Sequence, residues 1–200
     1  MKDLYSSVAP FYSFLAKLVF GSSLVEAKLF HLEGRSLGKI LIIGGGDGFD
    51  YLDLKHPKYG EFWEKSESML LHAKKNLHET GLSFYLGDFA DSAEVDFDEI
   101  WLHFVLDTLK DEEVTEFLET CRSKLSENGK IYLTDFYSPV TSKQKLIHKS
   151  MIRFFKVAAA YPRNKVPDYE KFLSEAGLIK THEKKFKKGW IRSSVWKIRG

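Results

Sequence analysis

Short apolar runs alternate with stretches of helical periodicity along the middle of the chain. Residues 39–43 are apolar and rich in isoleucine and end on glycines, which predicts a buried strand followed by a tight turn. Apolar residues recur at helical spacing over 66–78, opposite a face that carries lysines, and 82–86 is apolar again. Strands and helices that alternate in this way, with glycine at the turns, predict parallel βαβ units and an α/β fold.

The rest of the pattern predicts two more strands, three helices and a hairpin. The strands are expected at 99–104 and 130–135, and the helices at 111–125, 141–161 and 168–176. Asp111 is the predicted N-cap of the first of these helices, and Asn128-Gly129 the predicted turn before the fifth strand. Apolar and polar residues alternate over 179–186 and 190–198, which predicts an antiparallel hairpin at the edge of the sheet.

Two helices are predicted ahead of the first strand, at 4–20 and 24–32, with a break at Gly21. The first of them is crowded with aromatic residues. Such a segment either packs as ordinary core or folds over a ligand as a lid. We expect residues 1–35 to form an N-terminal helical lid within a single domain of residues 1–200.

Composition is that of an ordinary globular protein, with 44% apolar and 29% charged residues. The one cysteine, Cys121, excludes an internal disulfide framework and fits a reducing compartment. No apolar run reaches the roughly 18 residues of a transmembrane helix, and the N-terminus is a poor signal peptide. We therefore expect a cytoplasmic protein.

Charge is distributed unevenly along the chain. Residues 1–138 carry 14 Lys and Arg against 24 Asp and Glu, whereas residues 139–200 carry 16 against 4. These balances of −10 and +12 give the net charge of +2. The basic C-terminal third either faces an anionic partner or is a solvated surface that balances the acidic part.

Candidate chemistry begins at the glycines that follow the first strand. Gly44, Gly46 and Gly48 allow a positive φ and let a ligand touch the backbone, and a helix N-terminus there favours an anionic group. Phe49 stands where a dinucleotide-binding fingerprint would have its third glycine. Glu64, at the end of the predicted second strand, is placed to accept both hydroxyls of a ribose. After the third strand, Asp88 and the aromatic Phe89 suit an adenine.

At this point the chain resembles the class I S-adenosylmethionine-dependent methyltransferases. The matching segments are 40–48, 64–70, 87–88, 97–104 and 127–135, in the order of that family. One departure from the family is Ile42, where an acidic residue is usual. The sequence of residues 41–48 instead looks like the loop of spermidine synthases. Tyr5, Ala9 and Tyr12 loosely match a pattern of the ubiquinone/menaquinone C-methyltransferase subgroup, with one spacing a residue longer.

The resemblance implies a Rossmann-like, doubly wound seven-stranded sheet, mostly parallel with a C-terminal antiparallel hairpin. Residues 36–136 become the cofactor-binding core, and residues 137–200 the C-terminal helices and hairpin. The implied cofactor is S-adenosyl-L-methionine. Its implied contacts are Gly44, Gly46 and Gly48 under the methionine end, Asp47 as a further polar contact, Glu64 on the ribose, Asp88 with the Phe89 amide on the adenine, and Tyr12.

Candidates on the acceptor side lie at the ends of the fourth and fifth strands. His103 and Asp107 follow the fourth strand and Tyr137 follows the fifth, and each could instead be an ordinary packed residue. No metal-binding motif is present, because the seven histidines are scattered and there is only one cysteine.

We therefore expect a methyltransferase that acts on a small, apolar or amphipathic acceptor. One alternative is an aminopropyltransferase-like enzyme that uses decarboxylated cofactor, and another is a non-catalytic methyltransferase-like protein that binds anionic partners. The predicted helix at 141–161 either covers the sheet or contacts an anionic membrane surface. No nucleic-acid partner is expected. The sequence does not determine whether the chain is a monomer or an oligomer.

Overall fold

A computed structural model of the protein describes residues 20–32, 38–52, 59–159, 163 and 165–199. Its strands are β1 (Lys39–Ile43), β2 (Tyr59–Glu64), β3 (Gly81–Leu86), β4 (Phe97–His103), β5 (Leu125–Phe136), β6 (Leu178–Phe186) and β7 (Ile191–Ile198). Its helices are α1 (Ser23–Leu29), α2 (Glu67–Asn76), α3 (Asp111–Lys124), α4 (Ser142–Ala159) and α5 (Tyr169–Glu175). Single 3₁₀ turns lie at Phe49–Tyr51, Phe89–Asp91, Leu106–Thr108 and Lys187–Gly189.

The strands form one seven-stranded sheet in the order β3-β2-β1-β4-β5-β7-β6. Strands β1 to β5 are parallel, whereas β7 runs antiparallel to both β5 and β6. The predicted α/β architecture with its C-terminal hairpin is therefore confirmed. The order reverses at β1, so the crevice outside the carboxyl ends of β1 and β4 is where such sheets bind ligands.

Apolar layers cover both faces of this sheet. Ile100, Leu102, Ile131 and Leu133 pack under α3 and α5 on one face. On the other face, alternate residues such as Trp101 and Tyr132 pack against residues of α1 and α2. Side chains of β4 and β5 therefore point to one face or the other according to their position along the strand.

Two local predictions were wrong. Asp111 is the first residue of α3, and the residue before the helix is Lys110, whose N–H donates to Glu113 Oε2 over 2.7 Å. The chain does not turn into a new strand at Asn128-Gly129, because β5 already begins at Leu125. Pairing with β4 instead jumps from Phe97–Leu125 to Glu99–Lys130, so residues 126–129 form an irregular stretch within the strand.

The remaining boundaries shift by a few residues. The helix expected to begin after the glycine loop is described only as the 3₁₀ turn Phe49–Tyr51. Most of the predicted lid, including Tyr5, Ala9 and Tyr12, lies outside the described residues. Within the described ranges, no helix combines the length and the apolar character that crossing a membrane requires.

Candidate active site

The glycine loop begins where β1 ends and is hydrogen-bonded to β2. Gly44 N donates to the Trp63 carbonyl oxygen over 2.8 Å, which continues the β1–β2 ladder into the loop. Gly44, Gly46 and Gly48 all have a positive φ, at 61°, 64° and 69°. Residues with a side chain rarely adopt this conformation, so the predicted need for glycine in the turn is met at all three positions.

Glu64 holds this loop from the end of β2. Its Oε2 accepts from Gly46 N at 3.0 Å, and its Oε1 accepts from Ser66 N at 2.9 Å. The side chain predicted to bind a ribose therefore also fixes the loop that would lie beside the ribose.

The glycines of the loop differ in what surrounds them. A Cβ at Gly46 would meet nothing within 4 Å, so its backbone lies open. A Cβ at Gly48 would lie 2.7 Å from Leu77 Cδ1, and Gly48 is buried. Gly46 therefore offers a surface for a ligand, whereas Gly48 makes room for α2 to pack against the loop.

Asp47, predicted as a polar cofactor contact, is bonded within the loop. Its Oδ1 accepts from Phe49 N at 3.1 Å, and its carbonyl oxygen accepts from Asn76 Nδ2 at 2.9 Å. Its side chain therefore closes the turn that starts the 3₁₀ segment, as aspartates in such turns do.

Asp88 and Phe89 lie at the carboxyl end of β3. Asp88 Oδ1 accepts from Ala90 N at 3.1 Å, and its Oδ2 is 2.8 Å from Lys65 Nζ. Burial raises the pKa of Asp88, but the hydrogen bonds from Lys65 and Ala90 outweigh it and hold that pKa below its usual value. The Phe89 side chain is buried against Phe117, so only its backbone could face a ligand.

His103 is buried at the end of β4 and bonded to a tyrosine that no sequence pattern identified. Tyr51 Oη lies 2.9 Å from His103 Nδ1, and both side chains are buried. Burial, followed by the charge of Lys28, lowers the pKa of His103 well below its ordinary value, so the ring is neutral at pH 7. His103 Nε2 has no hydrogen-bond partner among the described residues.

A pair of carboxyl groups lies at the ends of β4 and β5, on the opposite face from His103. Asp135 is fully buried and its Oδ1 accepts from Phe136 N at 2.8 Å. Burial, followed by the charge of Asp107, raises the pKa of Asp135 well above its ordinary value. The Tyr169 hydroxyl faces Asp135, yet neither Tyr169 Oη nor Asp135 Oδ2 has a hydrogen bond of normal geometry within the described part of the chain.

Tyr137 stands next to this pair and borders an open cavity. Its ring centroid is 4.9 Å from that of Tyr169, and the Arg192 guanidinium lies 4.3 Å from the Tyr137 ring centroid. Burial raises the pKa of Tyr137, so its hydroxyl keeps its proton. The cavity measures about 400 Å³ and is lined by Tyr137, Tyr169, Val166, Pro167 and Arg192, among others.

Aromatic side chains cluster at the same carboxyl ends, on the face that carries His103. Phe136 lies 5.3 Å from Phe20, 5.0 Å from Phe104 and 5.9 Å from Trp190, measured between ring centroids. Phe104 has a φ of 59°, a costly conformation for a bulky residue. Backbone strain of this kind is concentrated at functional sites, which singles out the end of β4.

The three predicted acceptor-side residues do not form one group. Asp107 and Tyr137 come together with Asp135 and Tyr169, whereas His103 belongs to the other face with Tyr51 and Trp101. Tyr12 lies outside the described residues. Sequence analysis missed Tyr51, Lys65, Asp135 and Tyr169. Among these, only Asp135 carried a sequence signal, as an acidic residue at the end of a predicted buried strand. No cluster of three or more metal-binding side chains occurs in the described ranges.

Comparisons with known proteins show the family and the fold. A family model described as an O-methyltransferase domain matches residues 25–179. No curated protein matches the chain. Several solved structures do match, at identities that show the fold alone.

Three of them illustrate the range of the similarity. The mitomycin 7-O-methyltransferase MmcR has a TM-score of 0.69 at 16% identity, over 95% of this chain and 58% of that one. A TehB-like SAM-dependent methyltransferase from Corynebacterium glutamicum has a TM-score of 0.62 at 16% identity, over 96% and 97%. A methyltransferase from Haloferax volcanii, in complex with the Trm112 activator, has a TM-score of 0.72 at 15% identity, over 99% and 97%. The chain thus spans little more than half of the first structure and nearly all of the other two.

Proposed function

We propose, from the premise that the chain belongs to the O-methyltransferase domain family, that it transfers a methyl group from S-adenosylmethionine to a hydroxyl of a small, apolar or amphipathic acceptor. The observation that carries the proposal is the hold of Glu64 on the glycine loop, through Gly46 N at 3.0 Å. This hydrogen bond joins an acidic side chain to an open stretch of backbone in the crevice where the strand order reverses.

The residues present fit this cofactor. Gly46 leaves room for a ligand against its backbone, because a Cβ there would meet nothing within 4 Å. Glu64 binds the ribose hydroxyls and Asp88 binds the amino group of the adenine, both as charged acceptors. S-adenosylmethionine, when bound, supplies a methyl group that its sulfonium already activates. The protein therefore needs mainly to align the acceptor and to take up a proton.

Asp107 is the residue that we assign to proton removal. Two carboxyl groups in contact do not both ionise readily, and the raised pKa of the buried Asp135 keeps the proton on that residue. Asp107 is half-buried, so its side chain can face an acceptor hydroxyl. Bound S-adenosylmethionine would supply the methyl group by breaking its sulfur–methyl bond and would leave as the demethylated thioether. Asp107 would take up the proton that the acceptor hydroxyl loses.

The apolar part of the acceptor is expected against the aromatic side chains at the ends of β4 and β5. Phe104 is half-buried and supplies an apolar surface there, and it packs against Phe136, which is buried with Trp190. This placement favours an acceptor with an aromatic or aliphatic body and one reactive hydroxyl.

Titration calorimetry of the purified chain tests the cofactor assignment. S-adenosylmethionine and its demethylated product are expected to bind, in contrast to NAD and to the decarboxylated cofactor. Preference for the decarboxylated form would indicate aminopropyl transfer instead. Binding of neither S-adenosylmethionine nor its product would overturn the proposal.

Replacing Glu64 by alanine tests the residue that carries it. We expect Glu64→Ala to weaken cofactor binding by roughly 1.5–3 kcal/mol, because charge-assisted hydrogen bonds to the ribose are lost. Glu67→Ala removes a nearby carboxylate at the start of α2 and serves as the matched control. Thermal unfolding of both variants shows whether the loop has stayed folded. Unchanged affinity in a folded Glu64→Ala protein would exclude the ribose role.

A further inference from the structure

Helix α4 and the turn between β6 and β7 carry a dense group of positive charges. We call the exposed side chains of Lys143, Lys145, Lys149, Arg153, Lys187 and Lys188 the α4 basic surface. The helix contains no acidic residue. None of these six side chains takes part in an ion pair with another described residue.

Contacts between α4 and the hairpin make this a single surface. Gln144 Nε2 donates to the Lys187 carbonyl oxygen over 2.7 Å, which ties the start of the helix to the turn. Ile147 and Met151 pack into the aromatic cluster that contains Phe136 and Trp190. The inner side of α4 is thereby fixed against the sheet, and its charged side faces outward.

Spacing along the helix concentrates the charge further. Lys145, Lys149 and Arg153 follow one another at intervals of four residues, which places them in one row on the helix surface. Like charges at this spacing repel and destabilise a helix. Packing of the inner face of a helix against a sheet does not require a row of like charges on its outer face without acidic neighbours.

Several other positive charges in the C-terminal third are paired. Lys180 lies 2.7 Å from Glu170 and 2.9 Å from Glu183, and Arg192 lies within 4 Å of the same two carboxylates. Lys171 is 4.0 Å from Glu175. Among the described residues, the ion pairs of this region are therefore made around α5 and β6, and none is made by the α4 basic surface.

Apolar side chains lie within this charged surface. Leu146, between Lys145 and Lys149 on the helix, is 69% exposed, and Val140, just before the helix, is 62% exposed. Basic residues that surround exposed apolar side chains match the interface of an anionic bilayer, where the lysines meet phosphates and the apolar groups enter the headgroup layer. A nucleic-acid backbone would use the charges but leave Leu146 in water.

We infer that the α4 basic surface docks the protein on an anionic lipid bilayer. The contact lies on the outer side of the helix whose inner side packs against Phe136 and Trp190. Docking therefore orients the carboxyl ends of β4 and β5 beside the bilayer surface. The inference rests on charge and exposure and does not depend on methyl transfer.

Sedimentation with lipid vesicles tests this docking. The full chain is mixed at about 0.1 M salt with vesicles of phosphatidylcholine, alone or with about a third of phosphatidylserine. We expect sedimentation only with the mixed vesicles, and release as salt shortens the screening length. Lys145→Glu/Lys149→Glu is expected to lower vesicle partitioning at least tenfold. Leu146→Gln should lower it less, and by a similar factor at each salt concentration at which the wild type still binds.

A matched double variant separates the surface from net charge. Lys74→Glu/Lys75→Glu makes the same charge change on exposed positions of α2 and should keep partitioning within about twofold of the wild type. Equal loss in both double variants, or no sedimentation of the wild type, would overturn the inference. The inference would also be overturned if Lys145→Glu/Lys149→Glu lost binding to a nucleic-acid oligomer but kept its binding to vesicles. Circular dichroism and cofactor titration of each variant distinguish lost docking from lost folding.

Discussion

The two halves of the sheet's carboxyl edge are built differently. Over β1 and β2, the polar groups are joined to the backbone, since Glu64 accepts from Gly46 N and Ser66 N. Over β4 and β5, side-chain atoms are buried without partners in the described ranges, among them Asp135 Oδ2, Tyr137 Oη and His103 Nε2. The first half is ordered before any ligand arrives. The second half holds polar groups whose burial is costly until something pairs with them.

The largest difference between the two halves is expected in the pH dependence of the free energy of unfolding, and Asp135 is its source. Its raised pKa means that the folded state keeps a proton that the unfolded state loses above about pH 4. The free energy of unfolding therefore falls as pH rises, by up to about 1.4 kcal/mol per pH unit, until the folded carboxyl ionises. Asp135→Asn should remove this fall and retain an acceptor for Phe136 N.

Urea unfolding between pH 5 and pH 8 measures the difference between the two proteins. Asp91→Asn removes an exposed carboxyl and controls for the loss of one charge. A slope that survives in Asp135→Asn would place the pH dependence in another group.

A smaller effect is expected from glycine replacement in the loop. Gly48→Ala combines a φ of 69° with a Cβ 2.7 Å from Leu77 Cδ1, and we expect it to lower the free energy of unfolding by about 2–4 kcal/mol. Gly46→Ala has a similar φ but open space, so it should cost only about 1 kcal/mol. Urea unfolding gives both values.

Cofactor titration of the same pair sharpens the contrast. Gly46→Ala is expected to lose affinity because its Cβ points into the open space of the crevice. Equal losses of unfolding free energy in the two variants would mean that the packing of α2 does not depend on residue 48 lacking a side chain.

An effect smaller than that of Gly48→Ala is expected where the two halves meet, at Tyr51. Tyr51→Phe removes the hydroxyl that lies 2.9 Å from His103 Nδ1, so a buried ring nitrogen loses its partner. We expect a loss of about 1–3 kcal/mol in the free energy of unfolding. Tyr85→Phe, at an exposed position on β3, is the control. A Tyr51→Phe protein as stable as the control would show that water can satisfy His103.

Sequence patterns predicted the first half of the edge well because its parts are local. The glycine turn, and Glu64 at the end of the next strand, follow from strand periodicity and from backbone conformations that only glycine adopts easily. The second half depends on pairs distant in the chain, such as Tyr51 with His103 and Asp135 with Tyr169. No spacing encodes these pairs, because each is made by the way helices cover the two faces. The turn predicted at Asn128-Gly129 failed for a related reason. A Cβ at Gly129 would lie 2.7 Å from the Phe97 carbonyl oxygen, so this glycine allows a close approach of β4.

The sheet ends in two unequal edges. The outer strand β6 carries charged residues such as Lys184 and Lys185, and its pairing shifts between Lys180 and His182. The opposite outer strand, β3, has no charged side chain, and its pairing with β2 is regular from Gly81 to Leu86. Charge and irregularity block the addition of a foreign strand, and their absence permits it. Self-association in concentrated samples is therefore expected to begin at β3, and a lysine placed at Ser83 is the simplest change that would keep the protein monodisperse.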